Sequence, residues 1–281
     1  MDVIELLKVI LLGVVEGVTE WLPVSSTGHM LLFDAFLPLK ASDEFKEMFM
    51  VVVQLGAILA VLVLFWTKLF PFGTDDSRQP KLFVKKDVLS LWGKVLVACL
   101  PAAIIGIPFD DFLEANLHTP LVIAITLIVY GVAFLLVEWK NKDRVFPVNE
   151  TKELTYKHAL LIGAFQVLSL IPGTSRSGAT ILGALLVGVA RPVGAEFTFF
   201  LAIPVMFGAS ALKLVKYFLL DGGALIGAEL VYLTVGAAVA FAVSMFAIRF
   251  LMDFVKKHDF KPFGIYRIAL GLIVLLTLVV F

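Results

Sequence analysis

The sequence predicts an all-α polytopic membrane protein, built as an inverted-topology repeat with about six transmembrane helices and two re-entrant helical hairpins. Three observations carry this. Of 281 residues, 60% are hydrophobic and 16% charged, with a mean hydropathy of +0.99, whereas soluble domains run about 45–50% apolar and about 25% charged. Several apolar runs reach the roughly 20 residues needed to cross a bilayer. Two further apolar stretches break midway at Pro/Ser/Thr/Gly clusters and align with each other. This composition excludes a soluble globular enzyme, a disordered chain and a fibre. Lys and Arg number 23, as do Asp and Glu, so the net charge is zero. No basic excess points to nucleic acid or to a polybasic anchor. Cys99 is the single cysteine and makes no internal disulfide. The segment 1–5 lacks the basic region and small-residue cleavage site of a signal peptide, so the first apolar stretch is expected to stay in the mature protein.

In chain order, spanning helices are expected at 48–66, 88–107, 121–137, 197–220, 230–250 and 264–281. The stretches 5–36 and 156–189 are the broken ones. Pro23 and Pro172 end their first arms. The arm 8–22 would rise only about 22 Å at about 1.5 Å per residue, short of the roughly 30 Å hydrocarbon core.

Loop charge sets orientation. The linker 68–87 carries Lys68, Arg78, Lys81, Lys85 and Lys86; the linker 138–157 carries Lys140, Lys142, Arg144, Lys152 and Lys157; the linker 249–261 carries Arg249, Lys256, Lys257 and Lys261. The linker 108–119 has Asp110, Asp111 and Glu114 without Lys or Arg, and 221–229 also lacks Lys and Arg. The positive-inside rule puts the first three linkers in the cytoplasm and the last two outside. The link 34–47 is then outside, and the stretch 156–189 enters from the cytoplasm and returns to it. By symmetry 5–36 is a hairpin entering from outside, with an external N-terminus; crossing as one broken helix would put that terminus inside.

A shift of 150 residues lays Gly13 on Gly163, Glu16 on Gln166, Ser25 on Ser175, Thr27 on Ser177 and Gly28 on Gly178. A shift of 152 lays Glu44-Phe45 on Glu196-Phe197 and Gly56-Ala57 on Gly208-Ala209. Two copies of one plan inserted from opposite faces form a single membrane domain, 1–281. Repeat one covers residues 1–137, repeat two 156–281, and 138–157 links them.

Charges at membrane depth each cost about 2.5–3.5 kcal/mol on insertion scales and mark function. Glu16 and Glu20 are four residues apart in an apolar arm and share a helix face. Such a pair holds a proton or a cation between its carboxylates, unless it faces interfacial water. The following run Pro23-Val24-Ser25-Ser26-Thr27-Gly28-His29 puts three hydroxyls and an imidazole at a helix start. Free N–H groups there attract anions, and a hydroxyl nucleophile finds its base in His29 or the glutamates.

The second break reads Pro172-Gly173-Thr174-Ser175-Arg176-Ser177-Gly178-Ala179-Thr180, and Arg176 is the only charge between Lys157 and Arg191. Its planar fork suits two phosphate oxygens. Ser175, Ser177 and Thr180 add donors, and the flanking glycines admit a close backbone approach. The Walker lysine and spacing are absent. In the empty state Arg176 could instead pair with Glu16 or Glu20. Joined near the midplane, the two breaks offer acid and hydroxyl groups against a guanidinium, a set fit for phosphoryl transfer on a phosphorylated lipid.

These two motifs, Glu16-Gly17-Val18-Thr19-Glu20 with the Pro23–His29 run and Pro172–Thr180, resemble those of the BacA/UppP undecaprenyl-diphosphate phosphatases of bacteria, and the resemblance covers essentially the whole chain. It implies a multi-pass protein of the bacterial inner membrane with two re-entrant hairpins. It implies removal of the terminal phosphate from a C55 polyprenyl diphosphate, recycling the carrier for wall polymers and raising tolerance to bacitracin. It also implies a divalent cation, Mg²⁺ or Ca²⁺. By motif, Glu16 and Glu20 would bind the metal or act in acid/base catalysis. Ser26 would be nucleophile or phosphate ligand with His29 assisting, and Arg176 would bind the diphosphate. Ser25, Thr27, Ser175, Ser177 and Thr180 would line the site, with Gly173 and Thr174 also on the substrate side; apart from the motifs, Gln54 is a further substrate-side candidate as a polar group at membrane depth in the span 48–66.

Two mechanisms stay open at this level: a phosphoseryl intermediate on Ser26, or a water held by Glu20 or His29. A flippase for the polyprenyl phosphate carrier is the rival function, since broken helices in inverted repeats also build transporters. Gln54 could equally make a helix-packing hydrogen bond. Partners are the polyprenyl diphosphate and membrane lipids. The small-residue face from Gly183-Ala184 to Gly188 suggests a homodimer.

Overall fold

Long apolar segments in lipid must satisfy every backbone polar group internally, and the chain does so almost wholly with helices. The computed structural model describes residues 2–74, 82–220, 223, 225 and 227–280. The first arm is α1 (Val3–Thr19), followed by a turn and α2 (Ser26–Phe36). Then come α3 (Asp43–Val52), α4 (Gln54–Leu64) and the single turn α5 (Trp66–Leu69), a two-stranded ribbon of β1 (Phe72–Thr74) and β2 (Leu82–Val84), α6 (Lys86–Leu117) and α7 (Pro120–Lys140). The second half runs α8 (Tyr156–Gln166), a 3₁₀ turn (Val167–Leu170), α9 (Arg176–Val187), α10 (Arg191–Val215) with a π turn (Lys216–Leu220), α11 (Ala228–Val255) and α12 (Lys261–Val280). Among the described residues six stretches are long and apolar enough to cross a membrane, with α3 and α4 counted together.

Four sequence expectations change. The run expected as one helix over 48–66 breaks at Val53 and again at Phe65, and begins five residues earlier on the Ser42 cap. The acidic linker expected at 108–119 is mostly helix: α6 carries Pro101 and Pro108 inside it and ends only at Leu117. Each proline removes one donor, but leaving the helix would orphan several groups at once, so the helix continues. The linker 68–87 holds the ribbon, paired antiparallel in the register Phe72↔Val84 and Thr74↔Leu82; Arg78 and Lys81 lie outside the described residues, as do residues 221, 222, 224 and 226 of the expected 221–229 link. Finally, Gly183 and Ala184 form no free face. Both are buried, Gly183 against Phe165 and Ala184 against Gly194. The dimer expectation loses its basis there, because hydropathy does not reveal which face a neighbouring helix covers.

Helix pairs approach through small residues, as expected where lipid competes with apolar contacts and close van der Waals packing decides association. α1 lies along α11, α8 along α6, α4 along α11, and α7 along α12. A Cβ on Gly56 would collide with the Ala237 carbonyl, and one on Gly163 with that of Ala98. The core beneath the hairpins is aromatic, with Trp21, Phe197, Phe199 and Phe200 fully buried. Trp21 meets Phe199 edge-on at 5.3 Å. Ile104, Ile107, Val129 and Phe246 face outward as lipid-facing surface.

One buried ionic clasp joins three elements. Glu138, at the end of α7, has no exposure; Arg191 Nε donates to both its oxygens at 2.9 and 3.1 Å, and Phe260 N–H donates to it at 3.0 Å. Glu138→Ala strips Arg191 of its partner. Because the arginine is partly exposed, the expected loss is about 2 kcal/mol, under the full buried-pair range. A thermal unfolding midpoint in detergent that matched the parent protein would show that the clasp adds nothing.

Candidate active site

The two hairpin turns start from the same local conformation. Ser25 (φ 71°) and Ser175 (φ 69°) are the two non-glycine residues with positive φ among the described residues. Each is the N-cap of its second arm: Gly28 N–H donates to Ser25 Oγ at 3.4 Å, and Gly178 N–H to Ser175 Oγ at 3.2 Å. A serine held there carries backbone strain, which persists only where surrounding contacts over-determine it.

Those contacts are made between the two turns. Ser177 Oγ lies 3.2 Å from the Glu20 carbonyl and 3.3 Å from that of Leu22, within reach to donate to either. Arg267, on α12 and fully buried, donates from Nη1 to the Pro23 carbonyl at 3.2 Å, and from Nη2 to the Gly173 and Thr174 carbonyls at 2.8 and 2.9 Å. One guanidinium therefore ties both turns together through main-chain oxygens. Gly173 has φ 86°, and Thr126 Oγ1 and the Ile123 backbone stand where a Cβ would go, so only glycine fits.

At the junction sits a polar chain. Arg176 Nη2 donates to Glu20 Oε1 at 2.9 Å, and Ser26 Oγ donates to Glu20 Oε2 at 3.1 Å. The side chains of Arg176 and Glu20 are each 10% exposed, so the pair is screened weakly but remains reachable. Arg176 Nη1 donates to the Thr198 carbonyl at 3.0 Å, and its guanidinium lies 5.9 Å from the Trp21 ring centre. Glu16, one turn back on α1, is 1% exposed and its Oε1 has no partner among the described residues.

The residues expected from sequence divide accordingly. Glu20, Ser26 and Arg176 meet, with Glu16 on the same face of α1 as Glu20. Ser25, Ser175 and Ser177 hold the turns by capping and cross-bridging. Thr180 is fully buried; its Oγ1 donates to the Arg176 carbonyl at 2.9 Å and accepts from Thr198 Oγ1 at 2.9 Å. Gly173 and Thr174 offer carbonyls to Arg267. Thr27 is half-buried beside Ser26. His29 turns away: Nδ1–H donates to the Ser25 carbonyl at 2.7 Å, and Nε2 meets Tyr266 Oη at 2.6 Å. The group beside the Ser26 hydroxyl is thus the Glu20 carboxylate. Gln54 begins α4 at the Val53 break, half-buried, and no hydrogen bond among the described residues ties it to either turn.

Sequence reading missed Arg267, Thr198 and Tyr266, and noted Gln166 only as the counterpart of Glu16 in the second half. Arg267 had a signal, being a lone charge inside an apolar span. Gln166 is buried with both amide atoms unpartnered among the described residues, at the position that Glu16 holds in the first half. Among the described residues no group of three or more His, Cys, Asp or Glu could cage a metal. Two carboxylates on one face, with an orphaned Glu16 oxygen, nevertheless fit a hard cation such as Mg²⁺, which is held by one or two carboxylates while substrate phosphates and water complete its shell.

The chain is similar to known proteins over nearly its full length. Residues 9–273 match the family described as bacitracin resistance protein BacA. The undecaprenyl-diphosphatase of Enterococcus faecalis is 62% identical over 276 residues, covering 98% of each chain. That of Acetivibrio thermocellus is 60% identical over 273 residues, covering 97% of each. That of Streptococcus thermophilus is 54% identical over 97% of this chain and 93% of its own. With both motifs inside the matched span and these identities over nearly full length, the chain belongs to the BacA family of bacitracin resistance proteins.

Proposed function

We propose that this chain hydrolyses undecaprenyl diphosphate to undecaprenyl phosphate and inorganic phosphate, returning the carrier lipid to wall-polymer synthesis and raising tolerance to bacitracin. The observation that carries this reading is the Glu20 carboxylate bridging a guanidinium and a hydroxyl at the junction of two helix starts. Arg176 binds the terminal phosphate, whose oxygens take the place of Glu20 on its fork. The freed carboxylate accepts the Ser26 proton. Ser26 Oγ then bonds to the terminal phosphorus as the bond from phosphorus to the bridging oxygen breaks, and the lipid monophosphate leaves. Water hydrolyses the phosphoserine and restores the hydroxyl. Glu16 and Glu20 would also hold a divalent cation, Mg²⁺ or Ca²⁺, which supplies charge neutralisation at the phosphates.

The same reading has the two hairpins re-enter the bacterial inner membrane as halves of an inverted repeat. Support comes from the packing pattern. Exchanging α1 with α8, α3–α4 with α10, α6 with α11 and α7 with α12 turns the α1–α11 contact into α8–α6, and the α4–α11 contact into α10–α6. It also exchanges Ser25 with Ser175, whose φ values agree within a few degrees.

The test is phosphate release from a polyprenyl diphosphate by the purified chain. No release, with or without Mg²⁺ or Ca²⁺, would sink the hydrolase reading and favour carrier-lipid transport. Ser26→Ala is expected to lower kcat by about 10²-fold or more. Activity within a few-fold of the parent would exclude the covalent step and leave a water held by Glu20.

A further inference from the structure

Away from the hairpin turns, a cavity of about 710 Å³ opens among the ends of α5, α6, α10 and α11 and the loop 149–152. It lies on the side of the lysine-rich linkers, which the positive-inside rule assigns to the cytoplasm. Five lysines line it, Lys68, Lys85, Lys94, Lys152 and Lys256, against the carboxylates Asp87, Glu150 and Glu196. Most of that charge is already engaged. Lys68 pairs with the buried Glu196 at 2.6 Å, and Thr151 Oγ1 donates to the other oxygen of Glu196 at 2.7 Å. Lys152 pairs with Glu150, and Lys256 with Asp253.

Lys94 is different. It lies two turns inside α6, is only 8% exposed, lines the cavity, and has no hydrogen bond or ion pair among the described residues. Lys85, at the mouth, is likewise without an ion pair among them. The stem of Lys94 is covered while its ammonium is open to the cavity, and a lysine inside a spanning helix marks a functional site by default. The cavity's buried carboxylate, Glu196, is already engaged by Lys68 and Thr151, and the exposed Asp87 makes no ion pair with either free lysine among the described residues, so both lysines are left for an anion from outside the chain. Val88, Leu91 and Phe200 make an apolar floor. Next to it on α5, Trp66 stacks on Phe70 at 4.7 Å, with both rings exposed, as aromatic residues do at a bilayer interface.

We infer that this cavity is a second anion site, separate from the hairpin junction, that takes a phosphate-bearing group on the ammonium of Lys94 with Lys85 at the rim. Lysine is a point-charge binder of phosphate. The chemistry is shared by a phospholipid headgroup and by free phosphate. The inference stands whether or not the chain hydrolyses a diphosphate.

The experiment acetylates the lysines of the full chain in phosphatidylcholine nanodiscs and follows Lys94 against exposed Lys157 by mass spectrometry. One arm adds inorganic phosphate at constant ionic strength; the other uses nanodiscs containing phosphatidate. At a concentration about ten times Kd, occupancy slows Lys94 acetylation about tenfold and leaves Lys157 unchanged. Protection by phosphate alone identifies a soluble anion, and protection only by phosphatidate a lipid headgroup. Protection by neither, or equally by chloride, overturns the site. If Lys94 resists acetylation without ligand, thermal unfolding decides. In an Arg176→Ala background, phosphate or phosphatidate raises the midpoint and adding Lys94→Gln removes that rise; a rise unaffected by Lys94→Gln overturns the proposal. Lys94→Gln alone leaves phosphate release from the polyprenyl diphosphate unchanged.

Discussion

Arg176→Ala is expected to reduce phosphate release from a polyprenyl diphosphate by about 10³-fold or more, the range in which an arginine acts on phosphoryl charge. The guanidinium is the cationic group at the junction that is both aimed at Glu20 and partly open. Its other Nη is fixed by the Thr198 carbonyl, so its plane is set before substrate arrives. Arg176→Lys keeps the charge and loses the fork, and is expected to recover only a small part of the rate. Arg176→Ala also leaves the buried Glu20 carboxylate with Ser26 as its remaining hydrogen-bond partner, so the rate is to be compared between samples shown by thermal unfolding to be folded. Full activity in folded Arg176→Ala would show that the phosphate cradle lies elsewhere.

Arg267→Met is expected to have the second large effect, on both folding and rate. Its guanidinium touches no carboxylate among the described residues; three main-chain oxygens from two hairpins converge on it, with Tyr130 5.6 Å from its centre. Methionine fills similar volume but orphans those carbonyls in a buried place. Hydrogen bonds to charged groups are worth about 1.5–3 kcal/mol each. Removing a buried charge recovers part of that loss, so the net cost is about 3 kcal/mol. Arg267 touches none of the groups placed at the reacting phosphate and acts as a positioning residue. The distinguishing measurement is the split between kcat and KM. Relaxed turns separate Ser26 from Arg176, so kcat falls by about 10²-fold in folded protein while KM changes little. A kcat equal to the parent at reduced stability would make Arg267 purely structural. Arg267→Lys reaches one turn but not both, and is expected to fall between.

The hairpin chemistry was legible because it was local. The two Pro-Ser-Thr-Gly breaks, the carboxylates Glu16 and Glu20 one turn apart, and Arg176 alone in an apolar stretch are statements about near neighbours. Charge economy narrowed the partner of Arg176 to Glu16 or Glu20, since few partners exist at that depth; the structure chooses Glu20. Helix ends were harder. Pro108 and the acidic residues after it suggested a loop, yet α6 runs on to Leu117. His29 looked like a base for Ser26 because the two are close in sequence, but the helix turn aims its ring at Tyr266 on α12. Gly183 and Ala184 suggested a dimer face and lie instead against α8 and α10.

By itself, the sequence determined that this is a helical membrane protein with two broken, mutually aligned segments carrying acid, hydroxyl and guanidinium groups, because hydropathy, helix breaking and charge cost are properties of short windows. The tertiary structure decided which of those groups touch, that Arg267 clamps both turns from more than ninety positions away, and that Lys94 lines a cavity with no ion pair among the described residues. Those outcomes depend on which face each helix turns to its neighbours, and in lipid that choice is made by close packing of small residues between distant segments, a quantity no single window contains.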